Sequence, residues 1–293
     1  MIILADISVK INGLLEIHKN KIKFIGASHE KLRQVRAIIS NTKPNPHKLF
    51  AAEGIWAHTK LIDLNVQVEF FIFCPSLIYS PETESMVGTM LENTGEVYAV
   101  SEKVFEKLSE RDRADGLLSV CRFPRYELNG LSFSADALVV VLDGCEIPGN
   151  VGTIARTCDG ANADAIFLCN KRVRLTHPKV IKGSMGGALT VPFIEFDDVS
   201  DCIKWLEEKQ FSIYLADTRA EKFYYENKYA HRTALIVGSE KYGINRVWYE
   251  SERAKLISIP MLGVCDSLNV GVAASIILYD MSIKLGKTVN KIG

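Results

Sequence analysis

Short apolar runs alternate with helix-like segments along the second half of the chain. Five runs are apolar throughout, as is typical of strands covered on both faces of a parallel sheet, and they lie at 137–143, 165–169, 212–216, 234–237 and 256–259. Helical spacing between and after them predicts helices at 150–162, 178–187, 199–209 and 268–286. This alternation predicts an α/β domain over 137–293, with its ligand at the carboxyl ends of the strands.

The first half of the chain predicts a smaller α/β domain over residues 1–125. The segments "HEKLRQVRAIIS" and "AEGIWAHTKLIDLN" have helical spacing, and the proline-containing "NTKPNPHK" between them predicts a loop. The segments "VQVEFFIF", "EVYAVS" and "LLSVCRF" predict strands, and Ser101 is the expected N-cap of a further helix. Residues 126–136 carry few core signals and are interpreted as a linker.

The composition is that of a globular chain of about two domains: 293 residues, 47% hydrophobic and 24% charged. No apolar run approaches the roughly 20 residues that span a bilayer, and no basic segment precedes the first apolar residues as in a signal peptide. The seven cysteines are scattered without a C-x-x-C pair, which favours free thiols in the cytoplasm, and no zinc-ligand spacing occurs. We therefore expect a cytoplasmic protein with no membrane segment and no metal.

A net charge of zero conceals two basic regions. Residues 1–60 hold ten Lys or Arg against four acids, and "NKRVRLTHPKVIKG" holds five basic residues and no acid. Such regions can bind phosphate backbones, although charge alone equally describes a solvated surface. The predicted RNA contacts are Lys31, Arg33, Arg36, Arg172, Arg174 and Lys182.

Three glycine-bearing loops follow three of the predicted strands: "CEIPGNVGTIARTCDGANAD", "LIVGSEKYGI" and "ISIPMLGVCDSLNVGVAASI". Glycine allows a ligand to approach the backbone closely. No P-loop, Rossmann fingerprint or G-x-S-x-G nucleophile elbow is present. Taken singly, the polar residues of these loops also fit plainer roles: Asn150, Glu240 and Ser267 as helix caps, and Arg156 as a surface charge paired with Glu146 or Asp159.

In order, spacing and strand context, the three loops resemble the three motifs of the SpoU (TrmH-like) branch of the SPOUT methyltransferases, over residues 145–280. The resemblance implies a parallel α/β sheet with a deep trefoil knot, which is an exception to the rule against knotted chains. It also implies S-adenosylmethionine as cofactor, methyl transfer to a ribose 2′-hydroxyl in structured RNA, and a homodimer with the active site near the subunit interface.

The resemblance assigns catalytic roles to Arg156, Asn150, Glu240, Ser267 and Asn269. A guanidinium that stays charged can hold a phosphate and stabilise a forming alkoxide, which suits Arg156. The predicted cofactor contacts are Ala216, Asp217, Gly238, Ile259, Leu268 and Asn269. Lys182 departs from the pattern, since many relatives carry arginine there and lysine lacks the bidentate fork.

The N-terminal domain resembles the ribosomal-protein-like substrate domains of rRNA-modifying members, including the thiostrepton-resistance methyltransferases. This favours 23S rRNA over tRNA as substrate. Two alternatives stay open beside a tRNA 2′-O-methyltransferase: a non-catalytic RNA-binding or assembly protein on the same fold, and an α/β enzyme acting on a small molecule.

Overall fold

The structure is a computed structural model that describes residues 2–109, 111–229 and 231–287. The chain divides into two compact units. The first ends at Pro124 and also includes Thr176–Pro178, and the second begins at Arg125. In the described part of the chain, no helix combines the length and apolar character needed to cross a membrane.

The first unit contains a five-stranded sheet with helices on both faces. Its strands are β1 (Ile22–Phe24), β2 (Leu49–Glu53), β3 (Val68–Phe73), β4 (Val97–Ala99) and β5 (Leu117–Arg122). Its helices are α1 (Ile2–Ile17), α2 (Glu30–Ser40), α3 (Ile55–Asp63), α4 (Pro81–Asn93) and α5 (Glu102–Phe105). The strand order is β1-β4-β3-β5-β2, in which β5 runs antiparallel to both of its neighbours. Apolar side chains pack into separate clusters that hold this sheet and its helices together.

The helix predicted at 52–65 is shorter than expected, because its first two residues belong to β2. Gly54 separates the two elements with a φ of 89°, a conformation that favours glycine. The alanines of "LFAAE" have a weak strand propensity, so the strand is recognisable only by its pairing with β5. Ser101 does occupy the N-cap position of α5, but its side chain makes no capping hydrogen bond.

His58 on α3 is a buried imidazole that makes the first unit sensitive to acid. Its Nδ1 lies 2.9 Å from the Gly54 carbonyl oxygen, and its Nε2 lies 2.9 Å from Ser119 Oγ. Burial lowers its pKa from 6.5 to about 4. Between these values the unfolded chain binds a proton that the folded chain does not, so the free energy of unfolding decreases as the pH falls.

We expect this single group to remove about 3 kcal/mol of stability as the pH falls from 6.5 to 4. His58→Gln, which cannot titrate, should flatten that part of the stability profile in urea unfolding measured from pH 7 to pH 4. His47→Gln, at an exposed position, is the control and should keep the wild-type slope. An unchanged slope in His58→Gln would contradict the assignment.

The second unit contains a six-stranded parallel sheet, and the apolar runs predict five of its six strands. Its strands are β6 (Leu138–Asp143), β7 (Ala165–Cys169), β8 (Phe193–Glu195), β9 (Ser212–Ala216), β10 (Thr233–Gly238) and β11 (Ala254–Ile257). Its helices are α6 (Pro148–Gly160), α7 (Pro178–Ser184), α8 (Gly187–Thr190), α9 (Val199–Glu208) and α10 (Val270–Lys284). The strand order is β11-β9-β10-β6-β7-β8. The carboxyl ends of β11, β9, β10 and β6 are therefore adjacent, and the loops that follow them share one edge of the sheet.

Two predictions for this unit need correction. The helix expected at 178–187 is two helices, because Met185 and Gly186 adopt φ values of 49° and 93° between α7 and α8. The 126–136 segment is not a bare linker, since Leu128, Leu131 and Phe133 pack against the core of the second unit. Their spacing follows neither a helix nor a strand period, which is why the sequence pattern does not reveal them.

Candidate active site

A chain of hydrogen bonds joins the three glycine-bearing loops of the second unit. Asn269 Nδ2 donates to Asn150 Oδ1 at 3.1 Å, and Asn150 Nδ2 donates to the carboxylate of Glu240. The buried Asn150 is thus held at both ends of its amide, which fixes its orientation. Three predicted catalytic residues from separate motifs therefore form one polar cluster.

Neither Asn150 nor Ser267 is the helix cap that the sequence alone would allow. Helix α6 is capped by Ile147 with Pro148 in its first turn, so Asn150 lies inside the helix and is not its cap. Asn269 is the N-cap of α10, and its Oδ1 accepts from the backbone N–H groups of Gly271 and Val272 at 2.9 and 3.4 Å. Ser267 is exposed and precedes that cap, which excludes it as the N-cap.

A cavity of about 650 Å³ lies beside this cluster, between the loops after β9, β10 and β11 and the start of α10. Its size is within the range of small-molecule sites. All of the predicted cofactor contacts line it, as do two further catalytic candidates: Ala216, Asp217, Gly238, Ile259, Leu268, Asn269, Glu240 and Ser267. The lining combines charged, amide and apolar side chains with backbone groups, which suits an adenosine-containing ligand with both a planar ring and hydroxyl groups.

Gly238 lines the cavity and allows a tight turn to pack against it. The Ser239 and Gly243 backbones form a mutual pair of hydrogen bonds, at 3.0 and 2.9 Å, that closes a tight turn after β10. A Cβ atom on Gly238 would lie 2.3 Å from the Gly243 carbonyl carbon and 2.4 Å from its oxygen. Only glycine fits this position without a shift of backbone.

Asp217, predicted as a cofactor contact, is engaged by side chains of its own chain. Its carboxylate accepts from Arg219 Nε and Nη2 at 3.0 and 2.7 Å and from the Tyr249 hydroxyl at 2.5 Å. The hydrogen bonds from Arg219 hold the pKa of Asp217 well below its usual range, against the opposing effect of burial. The carboxylate therefore stays ionised and braces the loop after β9 against Tyr249.

Arg156 is exposed on α6, between the buried Ile154 and Ala155 and the next turn. Among the described residues it has neither a hydrogen bond nor an ion pair. Among these residues the alternative pairing with Asp159 is not formed, and Asp159 instead accepts from the Thr190 hydroxyl at 2.6 Å. All of the N–H donors of its guanidinium are therefore available to bind another molecule.

The glycine-rich "GSMGG" segment sets the position of that arginine, a role that sequence reasoning missed. A Cβ atom on Gly187 would lie 2.7 Å from the Ala155 carbonyl oxygen and 3.0 Å from Arg156 Cα. Gly152 packs equally closely, since its Cβ atom would lie 2.8 Å from the Val180 carbonyl oxygen. The backbone of α6 therefore packs directly against the backbones of α7 and α8. This close packing explains the glycines without a nucleotide-binding motif.

Asp143, the last residue of β6, is a second residue that sequence reasoning missed. It is buried, and its carboxylate accepts from Asn170 Nδ2 at 2.7 Å and from the Asn245 backbone N–H at 2.7 Å. It ties the loop after β10 to the neighbouring strand ends. The available signal was an acid at the end of the apolar run "ALVVVLD", a position that a buried strand tolerates only when the acid is bonded.

The basic residues predicted to contact RNA in the second unit are exposed: Arg172, Arg174 and Lys182. Among the described residues, Arg172 and Lys182 have no polar partner. Lysine 182 lies in the last turn of α7, the helix against which Gly152 of α6 packs. These positions remain predictions as RNA contacts.

One of the predicted RNA contacts in the first unit is engaged within the unit. The ammonium of Lys31 lies 2.5 Å from the Glu96 carboxylate and 4.7 Å from the centre of the Phe70 ring, with a partly buried side chain. Its charge is paired with an acid of the same unit, and Lys31, Arg33 and Arg36 remain predictions as RNA contacts. Arg36 donates to the Ala27 carbonyl oxygen at 2.7 Å, whereas Arg33 is exposed.

Cys145, beside the cavity wall, is not a nucleophile. Burial raises the pKa of its thiol to about 12, and the thiol lies 3.7 Å from the Gly238 carbonyl oxygen. In the described ranges, no group of three or more His, Cys, Asp or Glu residues is arranged to hold a metal ion.

Comparisons with known proteins match both units. Residues 137–279 match the model of the SpoU rRNA Methylase family, and residues 29–119 match that of the MRM3-like substrate binding domain. The chain is similar to the 23S rRNA (guanosine(2553)-2′-O)-methyltransferase RlmP of Bacillus subtilis (strain 168), with 26% identity over 226 residues, 76% of this chain and 88% of the relative. It is 31% identical over 196 residues to the 23S rRNA (guanosine-2′-O-)-methyltransferase RlmB of Pectobacterium atrosepticum, covering 65% of this chain and 80% of that one.

A solved structure of an RNA 2′-O ribose methyltransferase superimposes with a TM-score of 0.75 at 27% identity, over 90% of this chain and 98% of that chain. An rRNA methyltransferase from Sinorhizobium meliloti, solved with AdoMet bound, shares the fold with a TM-score of 0.78 at 22% identity, over 89% of this chain and 97% of that one. The parallel α/β sheet with an N-terminal substrate-binding domain is therefore confirmed as the fold.

Proposed function

The chain belongs to the SpoU rRNA methylase family and is an RNA 2′-O-methyltransferase, and we propose that it methylates 23S rRNA with S-adenosylmethionine as methyl donor. The observation that carries this proposal is the hydrogen-bonded chain Asn269–Asn150–Glu240 beside the 650 Å³ cavity. The names of its relatives favour 23S rRNA as the substrate.

The cavity residues fit the methyl donor. Gly238 and Ile259 would offer backbone groups to its adenosine, and Leu268 would cover its apolar parts. When bound, S-adenosylmethionine supplies a methyl group already activated by the sulfonium. The chain's own residues then have to orient the ribose and manage the charge on its 2′-oxygen.

The polar residues around the cavity have different roles in methyl transfer. Arg156 remains protonated, so it holds the phosphate next to the target ribose and stabilises negative charge on the 2′-oxygen. Glu240 fixes Asn150 through the amide N–H, and Asn150 and Asn269 present a rigid polar edge to the ribose. Ser267, on the exposed lip of the cavity, offers a hydroxyl near the reacting methyl group.

The activity is tested by incubating the purified chain with tritiated S-adenosylmethionine and either deproteinised 23S rRNA or total tRNA. We expect label in 23S rRNA, at one nucleotide that arrests reverse transcription at low nucleotide concentration. Label in tRNA alone would refute the substrate. Binding of S-adenosylhomocysteine without label in either RNA would refute the activity while leaving the cofactor site intact.

Helix geometry supports a homodimer. Six residues along an α-helix advance about 9 Å and rotate by about 240°, so Arg156 and Asn150 lie on different faces of α6. Arg156 does not line the cavity of its own chain. We propose that Arg156 of one protomer approaches the cavity of its partner. The exposed apolar side chains of Leu262, Val264 and Ile283, which are 97%, 100% and 72% exposed, support an interface around α10.

Two inactive variants should complement each other if the site is shared. Arg156→Ala and Glu240→Gln are each expected to be nearly inactive, but a co-expressed mixture should recover about a quarter of wild-type activity, because half of random dimers are mixed and each mixed dimer has one intact site. The measurement is methyl transfer per protomer, with sedimentation to establish the oligomeric state. A mixture no more active than its parts, or a monomer in sedimentation, would contradict the shared site.

The free state of the cysteines supports a reducing compartment, and we place the protein in the cytoplasm. The trefoil knot implied by the family resemblance remains a prediction.

A further inference from the structure

A cleft of about 390 Å³ lies in the first unit, between the second half of α2 and the loop that leads to β2. It is separate from the cavity at the strand ends of the second unit. Ala37, Ile38 and Leu49 form an apolar floor, and Arg33, Lys43 and His47 stand around it. All of the residues that line the cleft are described, and none of them is acidic.

The walls of this cleft are held in place before any ligand binds. Helix α2 ends where Asn41 adopts a left-handed conformation, with φ 52°, and donates its N–H to the Ile38 carbonyl oxygen. Across the cleft, Asn45 Oδ1 accepts from the Leu49 N–H at 2.9 Å, and Asn45 Nδ2 donates to the Leu49 carbonyl oxygen at 2.7 Å. Two prolines, Pro44 and Pro46, further restrict the loop. A preformed cleft loses little conformational entropy when it binds a ligand.

The charges of α2 point to this cleft. Of the three predicted RNA-contacting cations on that helix, Lys31 forms an ion pair with Glu96 and Arg36 donates to a carbonyl oxygen. Arg33 is exposed, lines the cleft and has no polar partner among the described residues. His47, also exposed and without a polar partner in the described ranges, adds a planar ring. An apolar floor, a planar ring and an unpaired guanidinium, with no acid in the lining, are the combination that binds an unstacked base and its phosphate.

We propose that this cleft binds one unpaired nucleotide of the RNA substrate. The base lies on the floor formed by Ala37, Ile38 and Leu49 and stacks on His47, while Arg33 contacts the flanking phosphate. The choice of RNA as the ligand rests on the proposed function. The position of the nucleotide rests on the cleft itself, and it adds a second recognition point to the site of methyl transfer.

The test uses the full chain and a fluorescein-labelled single-stranded octamer of adenosine, with a duplex of the same length for comparison. Ala37→Phe fills the cleft without changing charge and should weaken binding of the single strand about tenfold, with little effect on the duplex. His47→Ala, on the exposed loop, should also weaken it about tenfold through lost stacking. Arg33→Ala should make the dependence of the binding constant on salt concentration less steep, by the amount expected for the loss of about one phosphate contact.

Lys103→Ala on α5 removes one exposed charge elsewhere in the same unit and is the matched control. It should bind the octamer as the wild type does. Wild-type affinity in both Ala37→Phe and His47→Ala, with wild-type melting curves, would overturn the proposal, as would an equal loss in Lys103→Ala. Failure of the proposed function is distinguishable, because then the wild type would not methylate 23S rRNA although octamer binding still depended on the cleft.

Discussion

Arg156→Ala is expected to lower the single-turnover rate of methyl transfer by about 10²–10³-fold, the usual effect of removing one donor that stabilises a transition-state charge. The protein should stay folded, because the side chain is exposed, has no polar partner among the described residues, and alanine favours the helix. Binding of S-adenosylhomocysteine should change little, since Arg156 does not line the cavity of its own chain. Arg156→Lys should restore little of the rate, because an ammonium cannot reproduce the planar fork.

Arg246→Ala is the matched control for this variant, because Arg246 is an exposed arginine of the same unit that does not line the cavity. It should retain the wild-type rate. Melting curves for each variant separate lost chemistry from lost folding. Near-normal turnover in a folded Arg156→Ala protein would remove this residue from the proposed mechanism.

Gly238→Ala is expected to disable the cavity. The added methyl group must displace the turn formed by Ser239 and Gly243, because it would lie 2.3 Å from backbone carbon. Overpacking of this kind costs about 1–3 kcal/mol of stability. A displacement of about 1 Å near a reaction centre can lower the rate by about 10²-fold. Glu240, two residues along, is carried by the same turn, so both cofactor binding and the Asn150 bond should suffer.

The measurement is calorimetric titration with S-adenosylhomocysteine, paired with urea unfolding. Gly263→Ala is the control: it lies in the loop before α10, has no atom within 4 Å of the new Cβ position, and should bind normally. If Gly238→Ala bound the ligand within a few-fold of wild type, the turn after β10 would not form the cofactor wall.

Local chemistry along the chain was sufficient to identify the second unit. Its inner strands are mostly apolar because both faces of the parallel sheet are covered there, and this pattern is visible in the sequence without knowledge of distant partners. The order and spacing of the three glycine-bearing loops, which are also visible in the sequence alone, indicated the family. Asn150, Glu240 and Asn269 could be named as candidates because each lies in one of these loops at a position that the family resemblance assigns to catalysis.

Errors arose where the outcome depended on residues far away in sequence. For Lys31, the ion pair with Glu96 and the contact with Phe70 likewise depend on residues that folding brings near, so the sequence does not show them. The apolar residues of the 126–136 segment have no regular spacing, yet their side chains pack against the core of the second unit. Strand β2 is weak by propensity and exists because β5 pairs with it.

By itself, the sequence determined the α/β class, the motif order and the residue types available for methyl transfer, because these follow from short-range pattern and residue chemistry. The tertiary structure decided which of those residues meet. Asn150 bonds to residues 90 and 119 positions away, Gly187 packs against the backbone of Arg156, and Arg33 lines an open cleft whereas Lys31 pairs with Glu96. Hydrogen bonding and close packing act over a few ångströms in space, and only the folded chain defines which groups are that close.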